Sequence, residues 1–122
     1  MPSKMPNNGE DLVFQFFKCI EKKDVQSALG LFDDDAVVYE PFSMVGSLHG
    51  ISNIEPFLKV AVMANSNMRR KIVMDRSLSE SGRVSALVTF ERGDKTRGRF
   101  TFEFGPQDGV MQKIKSLHIR FE

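Results

Sequence analysis

Three side chains of this sequence are suited to moving a proton: the carboxylate of Glu40 and the imidazoles of His49 and His118. Carboxylates and imidazoles are common general acids and bases in enzymes. Glu40 ends an apolar run at residues 36–40 and is followed by Pro41, which fixes φ and has no N–H to donate to a strand. The pattern therefore predicts a strand that ends in a carboxylate, and Glu40 is the principal catalytic candidate.

Glu40 and His49 also have simpler interpretations that involve no catalysis. Glu40 would be open to water, or paired with an arginine of a later strand such as Arg99. His49 precedes Gly50 at a predicted loop-to-helix junction. There it would either carry protons at the mouth of a site, assisting Glu40, or simply face solvent.

The other chemically interesting side chains lie on predicted strands or at their ends. His118 alternates with Leu117 and Ile119, so it faces either the interior or an outer surface of the sheet, such as a subunit interface. Asp75 is expected to form a cross-strand salt bridge rather than an active site. The basic cluster at 69–71 is predicted to be a solvated turn, and Tyr39 is expected to pack under the helices.

Composition excludes several classes of partner. A net charge of +1 over 122 residues gives no general attraction for nucleic acid or an acidic membrane, and no apolar run is long enough to cross a bilayer. The single cysteine, Cys19, cannot form an internal disulfide, which favours a reducing, cytoplasmic location. With one cysteine and two separated histidines, no metal site is expected, and no glycine-rich phosphate loop or other cofactor signature is present.

The hydrophobic pattern predicts one α+β domain at residues 9–122, preceded by a flexible arm at 1–8. The sequence predicts a helix at about 9–22, a short helix capped by Asp24, an acidic turn at 33–35, a strand at 36–40 and a helix that begins near Ser52. Alternating patterns then predict four long strands between residue 70 and residue 121. The apolar positions of the last strand change phase, which predicts a β-bulge near Lys115 and Ser116.

This order of elements resembles the SnoaL-like branch of the nuclear transport factor 2-like superfamily, which includes the ketosteroid isomerases. The motifs that carry the resemblance are the following: Asp24, the run from Ala28 to Ala36, Glu40-Pro41, Gly46 and Gly50 leading into Ile54 and Phe57, Phe102-x-Phe104, and Asp108-Gly109. The resemblance implies a cystatin-like cone, with three N-terminal helices packed on a curved, mostly antiparallel sheet. It also implies a homodimer through the outer sheet face, where Val73 and Leu87 would otherwise be exposed.

The resemblance also indicates which residues would form a site inside the cone. In ketosteroid isomerases an Asp-Pro pair supplies the proton-transfer carboxylate, and Glu40-Pro41 stands at that place. The two oxyanion-hole donors of those enzymes correspond here to Phe16 and Phe100, which cannot donate a hydrogen bond. The departure argues against isomerisation of steroids.

Two functions remain open from the sequence. The first is a cofactor-free isomerase, cyclase or dehydratase that acts on a small hydrophobic carbonyl compound through Glu40. The second is a non-catalytic domain that binds an apolar ligand or a protein partner. In either case the ligand is expected to contact apolar residues inside the cone: Phe16, Ile20, Val38, Phe57, Phe100 and Phe102. The 11 phenylalanines would line such a pocket, or equally fill it as a core.

Overall fold

The fold is taken from a computed structural model, which describes residues 9–41, 45–64, 68–75, 82–92, 94–105 and 113–121. Within these ranges the structure contains three α-helices and six β-strands, in this order: α1 (Glu10–Glu21), α2 (Val25–Leu29), β1 (Phe32–Tyr39), β2 (Ser47–His49), α3 (Ile51–Ala64), β3 (Arg69–Met74), β4 (Arg83–Arg92), β5 (Asp94–Phe104) and β6 (Ile114–Phe121). The predicted arm at 1–8 and the Asp108-Gly109 turn lie outside the described residues. No helix in the described ranges is long and apolar enough to span a bilayer.

The strands form one sheet in the order β2-β1-β6-β5-β4-β3. All described strand pairs are antiparallel except β1 with β6, which run parallel. The predicted α+β class, with three helices on a mostly antiparallel sheet, is therefore confirmed.

Alternation along the strands gives the sheet two chemically different faces. Phe100, Phe102 and Phe104 of β5 are buried, whereas Arg99, Thr101 and Glu103 are not. The face that carries the buried phenylalanines, which packs against α1 and α3, is called the inner face below. The opposite surface, which carries Arg99 and Glu103, is called the outer face.

The last strand contains the predicted irregularity. Glu103 pairs with Ser116, while Phe104 pairs with Ile114, so Lys115 is the extra residue of a β-bulge. The bulge shifts the phase of alternation and keeps both Ile114 and Leu117 buried. The bulge predicted near Lys115 and Ser116 is confirmed.

Local signals explain where the first two helices begin. The carboxylate of Asp24 accepts the N–H of Ser27 at 3.1 Å and caps α2, as predicted. The α1 helix follows Gly9, whose φ of +93° is a left-handed conformation. A Cβ at that position would collide with the ring of Phe104, so only glycine fits there.

Two local predictions are wrong. Residues 33–35 form part of β1 rather than a turn, because the strand begins at Phe32, which pairs with Ile114. The register of β1 against β6 shifts between Phe32 and Val37, the stretch that contains the acidic residues. The third helix begins at Ile51, so Ser52 lies inside its first turn and is not the cap that its spacing with Glu55 predicted. The carbonyl of Gly50 accepts the N–H of Ile54 at 3.1 Å.

Candidate functional site

A cavity of about 530 Å³ lies between the helices and the inner face of the sheet. Its walls are almost entirely apolar. The residues that line it are Phe16, Phe17, Ile20, Glu40, Leu48, Asn53, Pro56, Phe57, Val60, Ala61, Ala64, Arg70, Phe90, Phe100, Ile119 and Phe121. The volume is within the range of roughly 300–1,000 Å³ that is typical of small-molecule sites.

The aromatic part of the cavity wall is held in place by edge-to-face ring contacts. Phe17 meets Phe100 with ring centroids 5.3 Å apart, and Phe16 meets Phe102 at 5.5 Å. Phe16 and Phe17 are neighbours on α1 and contact one another at 5.2 Å. Such contacts restrict the rings, so the aromatic surface is preformed rather than collapsing into the cavity.

Glu40 places a carboxylate in this apolar wall. It directly follows β1, and alternation along the strand puts it on the same side as Val38, which is fully buried. Its backbone N–H donates to the carbonyl of Gly46 at 3.1 Å, which fixes the backbone at the end of the strand. Glu40 is only 5% exposed, so the alternative of a water-exposed carboxylate is wrong.

The sequence also suggested that Glu40 pairs with Arg99. In the structure, Arg99 forms a salt bridge on the outer face instead. Its Nη1 donates to Asp75 Oδ2 at 3.0 Å and to Ser85 Oγ at 3.2 Å. The cross-strand salt bridge predicted for Asp75 is thus confirmed. Glu40 and Arg99 belong to opposite faces of the sheet.

Arg70 is a second ionisable group of the cavity and was not predicted as a site residue. It pairs with Phe90 in the β3–β4 ladder, and both residues line the cavity. Its Nε is buried and has no hydrogen-bond partner among the residues that the structure describes. Burial lowers the pKa of the guanidinium, and the Glu21 carboxylate partly opposes this change. The group nevertheless remains a cation near neutral pH.

The sequence contained a signal for the position of Arg70. Strand alternation puts it on the same face as Ile72 and Met74, which pack against the core. The prediction that residues 69–71 form a solvated turn was based on their charge, and it is wrong for Arg70. The flanking Arg69 and Lys71 are solvated as expected, although they lie on a strand and not in a turn.

The structure does not bring the two histidines into the cavity wall. His49 is exposed, its Nε2 lies 3.3 Å from Ser47 Oγ, and its carbonyl accepts the side-chain amide of Asn53 at 2.8 Å. His118 is exposed on the outer face and stacks on Tyr39, with ring centroids 4.2 Å apart. Tyr39 itself is 40% exposed, so the prediction that it packs under the helices is wrong.

The six predicted ligand contacts divide into two groups. Phe16, Ile20, Phe57 and Phe100 line the cavity. The remaining two, Val38 and Phe102, are completely buried in the core and are not among the lining residues. The wall contributed by the second half of α3, including Ala61, was not predicted.

No group of three or more potential metal ligands among His, Cys, Asp and Glu occurs within the described ranges. Within these ranges, the charged side chains of the cavity wall are Glu40 and Arg70. The arrangement can bind an apolar molecule, exchange a proton through Glu40, and offer a cation at Arg70.

The sequence matches no family profile and no curated protein. Solved structures show the fold. A SnoaL-like protein of unknown function from Burkholderia thailandensis superposes with a TM-score of 0.76 and 12% identity, over 98% of this chain and 99% of that one. A nuclear transport factor 2-like protein from Anabaena variabilis gives a TM-score of 0.75 and 17% identity, over 100% and 95% of the two chains.

One similar structure is an enzyme. The epoxide hydrolase/cyclase-like SalBIII, described for its role in pyran ring formation in the polyether salinomycin, gives a TM-score of 0.73 and 14% identity. The similarity covers 93% of this chain and 89% of SalBIII. The chain therefore has the SnoaL-like, nuclear transport factor 2-like fold, as the sequence motifs predicted. One fold of this kind supports different functions, so the residues of the cavity, and not the fold, indicate what this protein can do.

Proposed function

We propose that this protein is a cofactor-free enzyme that binds a small hydrophobic carbonyl compound in the cavity and uses Glu40 to transfer a proton on it. The observation that carries the proposal is a nearly fully buried carboxylate in the wall of a largely apolar cavity. A buried carboxylate is costly for a fold to maintain, and such groups concentrate at functional sites.

The proposed reaction begins with the Glu40 carboxylate as a general base. It removes a proton from the carbon next to the carbonyl, which leaves an enolate and a neutral Glu40. The same carboxylic acid then returns the proton to the original carbon or to a conjugated one. In a cyclase the acid would instead protonate the oxygen of the carbonyl group whose carbon the enolate attacks, and in a dehydratase it would protonate the hydroxyl group that leaves as water.

The class of substrate follows from the missing oxyanion donors of the cavity wall. At Phe16 and Phe100, where ketosteroid isomerases hold oxyanion donors, the rings offer no hydrogen bond, and the loss of one donor costs roughly 3–4 kcal/mol of transition-state stabilisation. A substrate that spreads the negative charge of its enolate over two of its own oxygens needs less stabilisation from hydrogen-bond donors of the protein. A 1,3-dicarbonyl compound, as in polyketide-like molecules, fits this requirement.

Deuterium exchange tests the proposal directly, because it reports proton transfer at carbon whatever the final product is. Hydrophobic 1,3-dicarbonyl compounds and enones would be incubated in D2O, and deuterium uptake would be followed by NMR. We expect the wild-type protein to accelerate exchange, and Glu40→Gln to lower the catalysed rate at least about 100-fold, the lower end for a general base. Glu103→Gln is the matched control, because Glu103 is exposed on the outer face and accepts the hydroxyl of Ser116 at 2.7 Å.

Catalysed exchange that is unaffected by Glu40→Gln would refute the assigned role of Glu40. Circular dichroism and thermal melting of both variants would show whether the fold is retained. A variant that unfolds would be replaced by Glu40→Asp, which keeps the charge but withdraws the carboxylate by one methylene. We then expect reduced rather than abolished exchange.

A non-catalytic ligand-binding domain is the second candidate. The apolar side chains of Phe16 and Phe100 favour it, because they provide binding surface and no stabilisation of an oxyanion. This candidate predicts that the cavity binds apolar compounds, that the wild-type protein does not accelerate exchange on any of them, and that Glu40→Gln leaves their affinity unchanged.

The homodimer through the outer face and the cytoplasmic location remain predictions. Val73 of β3 is 50% exposed and Tyr39 of β1 is 40% exposed on the outer face, and a second copy laid across that face would cover both. Analytical ultracentrifugation of the wild type and of Val73→Asp tests the dimer: we expect a dimer that the charged residue dissociates. A monomeric wild type at micromolar concentration would refute it.

A further inference from the structure

We infer that Arg70 binds a carboxylate of the ligand, so that the cavity takes an elongated apolar acid rather than a neutral hydrocarbon-like compound. This inference rests on the proposed function to the extent that the cavity must bind a small molecule. It adds the chemical class of that molecule and a residue that selects for it.

The unpaired Nε of Arg70 is the first argument. This N–H is buried and has no hydrogen-bond partner among the described residues. Leaving a buried donor unsatisfied costs about 1–3 kcal/mol. Because the atom is closed to solvent, a ligand oxygen reaches it only if the Arg70 side chain turns toward the cavity that it lines, and that turn would give the N–H an acceptor.

The shape of the guanidinium is the second argument. Its N–H groups form a planar fork that matches the two oxygens of a carboxylate, and such pairs are among the stronger polar contacts in proteins. An apolar surrounding strengthens the attraction, because little water screens it. The Glu21 carboxylate of α1 attracts the same guanidinium and lowers the net positive charge that a ligand meets.

Basic side chains around Arg70 are the third argument. A groove of about 670 Å³ also reaches Arg70 and is lined by the following residues: Arg69, Arg70, Lys71, Thr89, Glu91, Lys95 and Arg97. Its one acidic residue, Glu91, pairs with Lys95 at 3.4 Å. The groove lies on the outer face, because Arg69 and Lys71 alternate with the cavity-lining Arg70 along β3. Its remaining positive charge raises the concentration of anions at the β3 edge of the sheet, which also carries Arg70.

The sheet order sets the length of the ligand. Glu40 follows β1 and Arg70 lies on β3, and three strands separate these two in the sheet. With neighbouring strands about 4.8 Å apart, the four steps from β1 to β3 cover roughly 19 Å along the sheet. The sheet's curvature shortens the direct path. An acid with its carboxylate at Arg70 and a reacting carbonyl at Glu40 must therefore be extended, with its apolar body against the aromatic wall.

Calorimetric titration with decanoate and with decanol tests this inference. The two probes share an apolar chain and differ in charge at one end. We expect the wild type to bind decanoate at least tenfold more tightly than decanol, and Arg70→Met to remove this preference. Arg120→Gln is the matched control, because Arg120 is an exposed arginine of β6 that lines neither the cavity nor the basic groove; it should change the preference no more than about twofold.

The outcomes separate the inference from the proposed function. Equal binding of decanoate and decanol, or a preference that survives Arg70→Met, would overturn the role of Arg70. Neither result would contradict the ligand cavity or the role proposed for Glu40. Binding of neither probe would overturn the inference together with the proposed ligand cavity. Arg70→Lys supplies a further readout: the preference should fall but persist, since the charge remains and the planar fork is lost.

Discussion

Polar side chains have different surroundings on the two faces of the sheet. On the outer face polar groups bind one another, as Arg99 does with Asp75 and Ser85, and as Ser116 does with Glu103. On the inner face Glu40 and Arg70 are set in an apolar wall, and three strands lie between β1 and β3, the strands that position them.

This difference distinguishes structural polar groups from candidate functional ones. A cross-strand ion pair satisfies its own charges and requires no ligand. Ionisable groups in the wall of a largely apolar cavity are candidates for contact with a bound molecule. Substitutions on the inner face should therefore affect ligand binding or the core, and those on the outer face should affect neither strongly.

The largest effect is expected where the inner face is solid core. Phe102 is completely buried beneath the cavity, and Phe102→Ala should lower the free energy of unfolding by about 3–5 kcal/mol, as large-to-small core substitutions do. Thr101→Ala, one residue away on the outer face, should lower it by less than about 1 kcal/mol. Urea unfolding measures both, and equal losses would contradict the division into two faces.

A smaller effect, on affinity rather than stability, is expected where the inner face is hollow. Ala61 lines the cavity from α3, and Ala61→Phe would place a ring in the ligand space. We expect the affinity for decanoate to fall at least tenfold, with thermal stability nearly unchanged. Met63→Phe is the control on the same helix, since Met63 is 73% exposed and is not a lining residue. Unchanged affinity in Ala61→Phe would mean that the probe binds elsewhere.

The smallest effect is expected at the cap of α2, which belongs to neither face. Hydrogen bonds from Ser27 lower the pKa of Asp24, so its charged form is favoured in the folded protein. Its stabilising effect is thus present above the unfolded pKa of about 4 and is lost as the pH falls through the lower folded value. Asp24→Ala should melt slightly lower than the wild type at pH 7, and the gap should shrink below about pH 4. A gap that is independent of pH would contradict the role of the charge.

The sequence allowed the inner face to be predicted wherever alternation was regular. Phe100, Phe102 and Phe104 stand two residues apart, and the phase change of the last strand located the bulge at Lys115. Strand alternation also placed Glu40 on the same side as Val38, inside the cone that the motifs implied, with a water-exposed carboxylate as the alternative. These features depend on local pattern, which a sequence displays directly.

The failures have physical reasons of their own. Alternation divides a strand into two faces without saying which one packs against the helices, so the side of His118 remained open. The charged residues at 33–35 became strand because both ends of β1, at Phe32 and at residues 37–39, pair with the distant β6, and this pairing outweighs the preference of 33–35 for a turn. Arg70 was missed because a charge cluster was weighed above alternation. The size of the cavity depends on how the rings pack, which no spacing in the sequence reports.

A crystal structure of Glu40→Gln with the dicarbonyl compound that the wild type exchanges fastest would test the central claim most directly. We predict that the compound lies in the cavity with its exchanging carbon about 3–3.5 Å from the side-chain amide at position 40, the distance of a near-attack geometry. A compound that binds in the cavity with that carbon turned away from position 40, or that binds on the outer face, would contradict the role assigned to Glu40.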